Sequence, residues 1–135
     1  MAATHNQHAA LRQYQSTGVA SAANYANPYQ LVEMLLSGAI DRIARARGHM
    51  LRSEIMQKID TVRSAISIVE YLRISIDMDG GGQIARNLCN LYDYMMQRLT
   101  KANADNDPLI LDEVSVLLRD IKSAWDEIPQ NLRVR

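Results

Sequence analysis

Three features of the sequence predict an all-α fold, an antiparallel up-down four-helix bundle with a mobile N-terminal arm. Apolar residues recur every three or four positions in four stretches of roughly twenty residues each. The connections between those stretches are short, which places consecutive helices side by side and antiparallel. The apolar set is dominated by Leu, Ile, Ala and Met and contains no Phe, a composition that favours helices over strands. With 135 residues the chain suits one domain able to bury its own core. Residues 1–23 read as the flexible arm, 24–129 as the bundle and 130–135 as a frayed tail.

The arm is rich in Ala, Gln, Asn, Ser and Thr, and Tyr14 and Val19 are its candidate anchors. His5 and His8 could share one side of a helical turn, but no further ligand accompanies them, so solvated histidines are the better reading. The first helix opens at Asn27-Pro28, where Asn caps, Pro suits the first helical position and Gln30 completes a capping box. Its apolar residues, Leu31 to Met50, fill an arc near 180°. Gly38 sits inside the helix, which is expected to end around Gly48 to Arg52, with Gly48 a candidate C-terminal stop.

Ser53 with Glu54 restarts the second helix, and Ile55, Ile59, Val62, Ile66, Val69 and Ile76 keep helical spacing to its end. Ile68 and Leu72 widen that arc on one flank. The run Asp77-Met78-Asp79-Gly80-Gly81-Gly82 reads as a flexible turn. A calcium loop is excluded because Gly81 stands where a third ligand belongs and Leu88 replaces the closing Glu. The third helix follows the glycines to about Thr100, with Ile84, Ala85, Leu88, Cys89, Tyr92, Met95, Met96 and Leu99 in an arc of roughly 160°. A polar connection over residues 102–107 then leads to Asp107-Pro108, a second cap-plus-proline start. The fourth helix carries Ile110 to Ile128 within about 140° of arc, and Pro129 closes it.

Charge and motifs exclude several functions. Fifteen basic residues balance fifteen acidic ones, so the electrostatic footprint of a nucleic-acid binder is missing. No apolar run approaches the ~20 residues of a membrane span, and no secretory signal opens the chain, which points to a cytoplasmic protein without membrane insertion. No Glu has a His three residues later, as a di-metal bundle requires. The glycine triplet follows a helix rather than a strand and lacks the Lys-Ser/Thr of a phosphate loop. Cys89, the one cysteine, lies on an apolar arc and reads as a buried, inert thiol. The sequence offers no catalytic constellation and implies no cofactor or metal.

What remains is apolar surface beyond need. A helix buried against a neighbour requires a stripe of about 100°, and all four helices exceed it, with Met34, Met56, Ile74 and Val116 outside even the wide arcs. A shoulder residue is as readily covered by a neighbouring helix as by a partner. Taken together, and with methionines that adapt to a partner's shape, the surplus suits a groove for an amphipathic partner helix. The candidates for that groove are Ile68, Leu72, Cys89, Tyr92 and Met96; Ile68 and Met96 are expected on arc shoulders, and Leu88 and Ile66 in the core. The alternative is a non-catalytic helical adaptor that forms a homodimer through its wide faces.

Several segments, in order and spacing, resemble the flagellin-specific secretion chaperones of the FliS family over nearly the whole chain. They are Tyr14 with Val19, Asn27-Pro28-Tyr29-Gln30-Leu31-Val32, Met34-Leu35-Leu36-Ser37-Gly38-Ala39, Ala65-Ile66-Ser67-Ile68-Val69, Asn87-Leu88-Cys89-Asn90-Leu91-Tyr92-Asp93-Tyr94-Met95, and Leu117-Leu118-Arg119 with Ala124-Trp125. The resemblance implies a cytoplasmic four-helix bundle that binds the disordered C-terminal segment of flagellin, prevents its premature polymerisation and escorts it to the flagellar type III export gate. It also implies that the N-terminal arm lies on the surface that the substrate uses.

Overall fold

The computed structural model describes residues 27–127, which form four helices joined by short turns. These are α1, Pro28–Leu51; α2, Ile55–Ile74; α3, Met78–Asp105; and α4, Pro108–Asp126. The expected arm with Tyr14 and Val19, and the expected tail with Pro129, lie outside the described residues.

Asn27 opens α1 with a complete capping box: its side-chain oxygen accepts from the Gln30 amide at 2.8 Å, and Gln30 Oε1 accepts from the Asn27 amide at 3.3 Å. The helix passes through Gly48 and ends at Leu51, within the expected window of Gly48 to Arg52. Ser53, in the left-handed region at φ 59°, turns the chain toward α2. Glu54 stands at the α2 N-cap without capping that helix. Its carboxylate is instead engaged by His49 Nδ1 and Arg52 Nε, each at 2.8 Å, and these bonds, the His49 bond foremost, hold its pKa below the ordinary value.

Two boundaries differ from expectation, both in α3. The glycine triplet is not a linker that ends before the helix: a first turn forms over residues 78–81, capped by Asp77, and the chain breaks at Gly82 before continuing. At the other end the helix extends to Asp105, so most of the expected polar connection is helical, because Ala102 is fully buried in the core and anchors the extra turn. Asn106, at φ 54°, stops the helix in the left-handed conformation that Asn tolerates. Asp107 then caps α4 by accepting from the Leu109 amide at 2.9 Å.

Contacts between opposite ends of adjacent helices make the bundle antiparallel. Arg47 near the end of α1 meets Asp112 near the start of α4 at 2.8 Å, while Tyr29 at the start of α1 meets Trp125 at the end of α4. Lys58 near the start of α2 donates to the Asn103 carbonyl at the end of α3 at 2.8 Å. Going round the bundle, α1 packs on α2, α2 on α3, α3 on α4 and α4 on α1, and the α3–α4 seam is the sparsest of the four. The core is built from residues such as Leu35, Ile43, Val62, Val69, Leu99 and Leu118. Arg42 and Lys58 are also buried; Arg42 Nε donates to Ser64 Oγ at 3.3 Å, so the long side chain joins α1 to α2 with its polar end satisfied.

Candidate partner-binding surface

The residues expected to line the groove lie on α2 and α3, and four of the five are buried. Ile68, 1% exposed, is no shoulder open to a partner but a core residue, and Leu72, Cys89 and Tyr92 are buried as well. Met96 alone of the five is half-buried, packed against the edge of the core. Burial pushes the Tyr92 hydroxyl pKa well up, so the phenol stays neutral in the interior. Leu88 and Ile66, expected at arc centres, are the half-buried ones. Apolar character alone cannot say which part of an arc a neighbouring helix covers: Ile68 lies one turn from Ser64, which meets Arg42 of α1, so its side of α2 is sealed toward α1.

The open face lies on the other side of α3. Arg98 Nε donates to Glu113 Oε1 at 2.7 Å and the Tyr94 hydroxyl donates to Glu113 Oε2 at 2.5 Å, which sets the facing sides of α3 and α4. Along α3, residues at helical spacing on that side are Ala102, Met95, Leu91, Leu88 and Ile84. Ala102 and Met95 are fully buried, Leu91 and Leu88 are half-buried, and Ile84 is 81% exposed. Along α4 the matching stripe is Ile110, Leu117, Ile121 and Ala124, which passes from buried through half-buried to exposed. Both stripes lose cover toward the same end, where α3 begins and α4 ends.

The cause is visible in what each helix is tied to. A two-residue turn, Asn106 and Asp107, holds the upper ends of α3 and α4 together. At the lower end α4 is tied to α1: the Tyr29 and Trp125 rings stack at 5.1 Å, the Tyr29 hydroxyl donates to the Trp125 carbonyl at 2.7 Å, and Trp125 Nε1 donates to the Tyr29 carbonyl at 3.2 Å. Lower α3 is tied to α2 instead, through the Arg73–Asp93 ion pair. The two lower ends are thus tied to different neighbours, and the apolar stripes between them lose cover. Exposed Tyr94, Val116 and Leu109 continue the apolar strip up the outer side of the same two helices.

Ile84, Leu88, Leu117 and Ile121 all belong to the arcs expected from the sequence, but only Leu88 is assigned, to the core, and none to the groove. The clasp from Tyr29 to Trp125 was missed, although an aromatic directly after the helix-starting Pro28 and a lone Trp near the last turn were its signals. Among the described residues no group of His, Cys, Asp and Glu is arranged to hold a metal, and no helix is long and apolar enough to cross a membrane.

By fold and surface the described residues form a helical bundle with an apolar face left partly open between two of its helices. The family model described as flagellar protein FliS matches residues 10–132. Similar curated proteins include the flagellar secretion chaperone FliSB of Pseudomonas aeruginosa, 44% identical over 119 residues that make up 88% of this chain and 94% of that protein. The flagellar secretion chaperone FliS of Vibrio cholerae is 41% identical over 88% of each chain, and that of Salmonella typhimurium is 40% identical over 87% of this chain and 88% of its own. The chain belongs to the FliS family of flagellar secretion chaperones. That family is non-catalytic, and the protein is not an enzyme.

Proposed function

We propose that the protein is a cytoplasmic export chaperone that binds the disordered C-terminal segment of flagellin along the α3–α4 face. Binding keeps flagellin from polymerising early and brings it to the flagellar export gate. Family membership supports the reading, and the observation that carries it is the paired loss of burial along the two facing stripes, from Ala102 to Ile84 and from Ile110 to Ala124. Such a wedge accepts the apolar side of a helix that has none of its own core to fold against. Interior Ile68, Leu72, Cys89 and Tyr92 contribute by fixing α3 in place, while Met96 lies on the opposite edge of that helix.

Binding of a flagellin C-terminal peptide to the full chain, followed by calorimetry, tests this. Ile84→Glu and Ile121→Glu put a carboxylate that must be desolvated on either wall of the wedge. Each is expected to leave the helical content and cooperative melt near those of the parent and to weaken binding roughly five- to 150-fold, by about 1–3 kcal/mol. Variants that fold and bind like the parent would place the flagellin surface elsewhere. Equilibrium sedimentation of the chain alone and with the peptide separates this function from that of an adaptor that only forms a homodimer.

A further inference from the structure

At the start of α3 the first helical turn is folded back on the helix that follows it. Asp77 Oδ1 accepts from the Asp79 and Gly80 amides at 3.1 and 3.0 Å, and the Gly81 amide donates to the Asp77 carbonyl at 3.0 Å. The chain then reverses at Gly82, at φ 57° and ψ −140°, a conformation open in practice only to glycine. The reversal lays Gly81 against Ala85 so closely that a methyl at Gly81 would run into the Ala85 side chain. It also brings Met78 over Cys89, whose thiol donates to Met78 Sδ at 3.2 Å.

The covered and the covering residues differ sharply. Ala85 and Cys89 are buried, each 4% exposed, whereas every residue from 78 to 84 is exposed. A segment with so few buried contacts opens at far lower free energy than the bundle it lies on. The glycines make the closed position possible, and the side-chain-free Gly82 gives it a hinge.

We propose that residues 78–81 form a lid, hinged at Gly82, that opens without unfolding the bundle and uncovers Ala85, Cys89 and the lower end of the α2–α3 seam. Closed, the lid hides apolar surface through Met78; open, it presents that surface beside α3. The device concerns the α2–α3 side of the bundle and stands independently of the flagellin surface on the α3–α4 side.

Cys89 is the one cysteine in the chain, so maleimide labelling of the full-length protein reads this site alone. Opening of a small lid exposes little surface, so the labelling rate of the parent is expected to stay flat in urea below the unfolding transition. Gly82→Ala strains the closed turn and should speed labelling roughly tenfold with the cooperative melt retained. Met78→Ala removes the cover itself and should also speed it. A parent rate that climbs with urea in step with global unfolding overturns the lid. So does a folded G82A or M78A variant that labels no faster than the parent, and if G82A fails to fold, the urea dependence of the parent and the M78A rate still decide.

Discussion

Ile66 and Ile68 show how two positions on one helix change their consequences. They share a side-chain type and sit on the same broad apolar arc, yet Ile68 is sealed in the core and Ile66 is half-buried at its edge. A cavity at Ile68 has no route by which solvent or a loose neighbour can fill it, so Ile68→Ala is expected to cost about 2–5 kcal/mol in urea unfolding. Ile66→Ala removes atoms already partly in water and should cost distinctly less. Equal losses would mean that the edge of α2 is as tightly packed as its centre. The same contrast separates Leu99, fully buried on α3, from Leu88, which forms part of the open wall.

Between elements, a single carboxylate carries the polar link of the α3–α4 seam. Glu113 on α4 accepts from Tyr94 and Arg98 on α3, and these bonds, Tyr94 foremost, hold its pKa below the ordinary value. In the unfolded chain the same carboxyl titrates near its ordinary value, so the folded state binds its proton less readily. The stabilisation is therefore complete above the ordinary carboxylate pKa and is lost as the pH falls through the depressed one. Glu113→Gln removes this titration. Between about pH 6 and pH 3 the melting temperature of the parent is expected to fall more than that of the variant, by a modest margin because the pair is partly exposed. Identical acid profiles would show that the bridge contributes nothing to stability. The Tyr94 hydroxyl pKa is raised by the same bond to Glu113, so its share is present below the ordinary tyrosine pKa and is lost as the pH rises through the raised value.

At the scale of the whole molecule, fifteen basic and fifteen acidic residues leave no net field to attract a charged partner. The open face is apolar along both walls, so its occupation by a flagellin segment should be driven by burial, with ordering of that segment opposing it. Calorimetry across temperature is expected to show a markedly negative heat-capacity change, and affinity should fall only mildly as salt is raised. A steep loss between low and moderate salt would mean that charge rather than burial holds the complex.

Much of this protein is determined locally and was therefore legible in the chain itself. The starts of α1 and α4 follow from Asn27-Pro28 and Asp107-Pro108, because capping and proline chemistry act within one helical turn. Helix number and type follow from a 3.6-residue period that no strand could satisfy. The extra turn of α3 was hidden because Ala102 reads as an unremarkable small residue until a facing helix buries it. The position of the open face was decided only by tertiary structure. An arc wider than one neighbour needs has two edges, and its width is the same whichever edge is covered. That choice rests on contacts between residues far apart in sequence: Tyr29 with Trp125 holds α4 to α1, and Arg73 with Asp93 holds α3 to α2. Ile68, Leu72, Cys89 and Tyr92 are buried, and the stripes that carry Ile84 and Ile121 are left partly open.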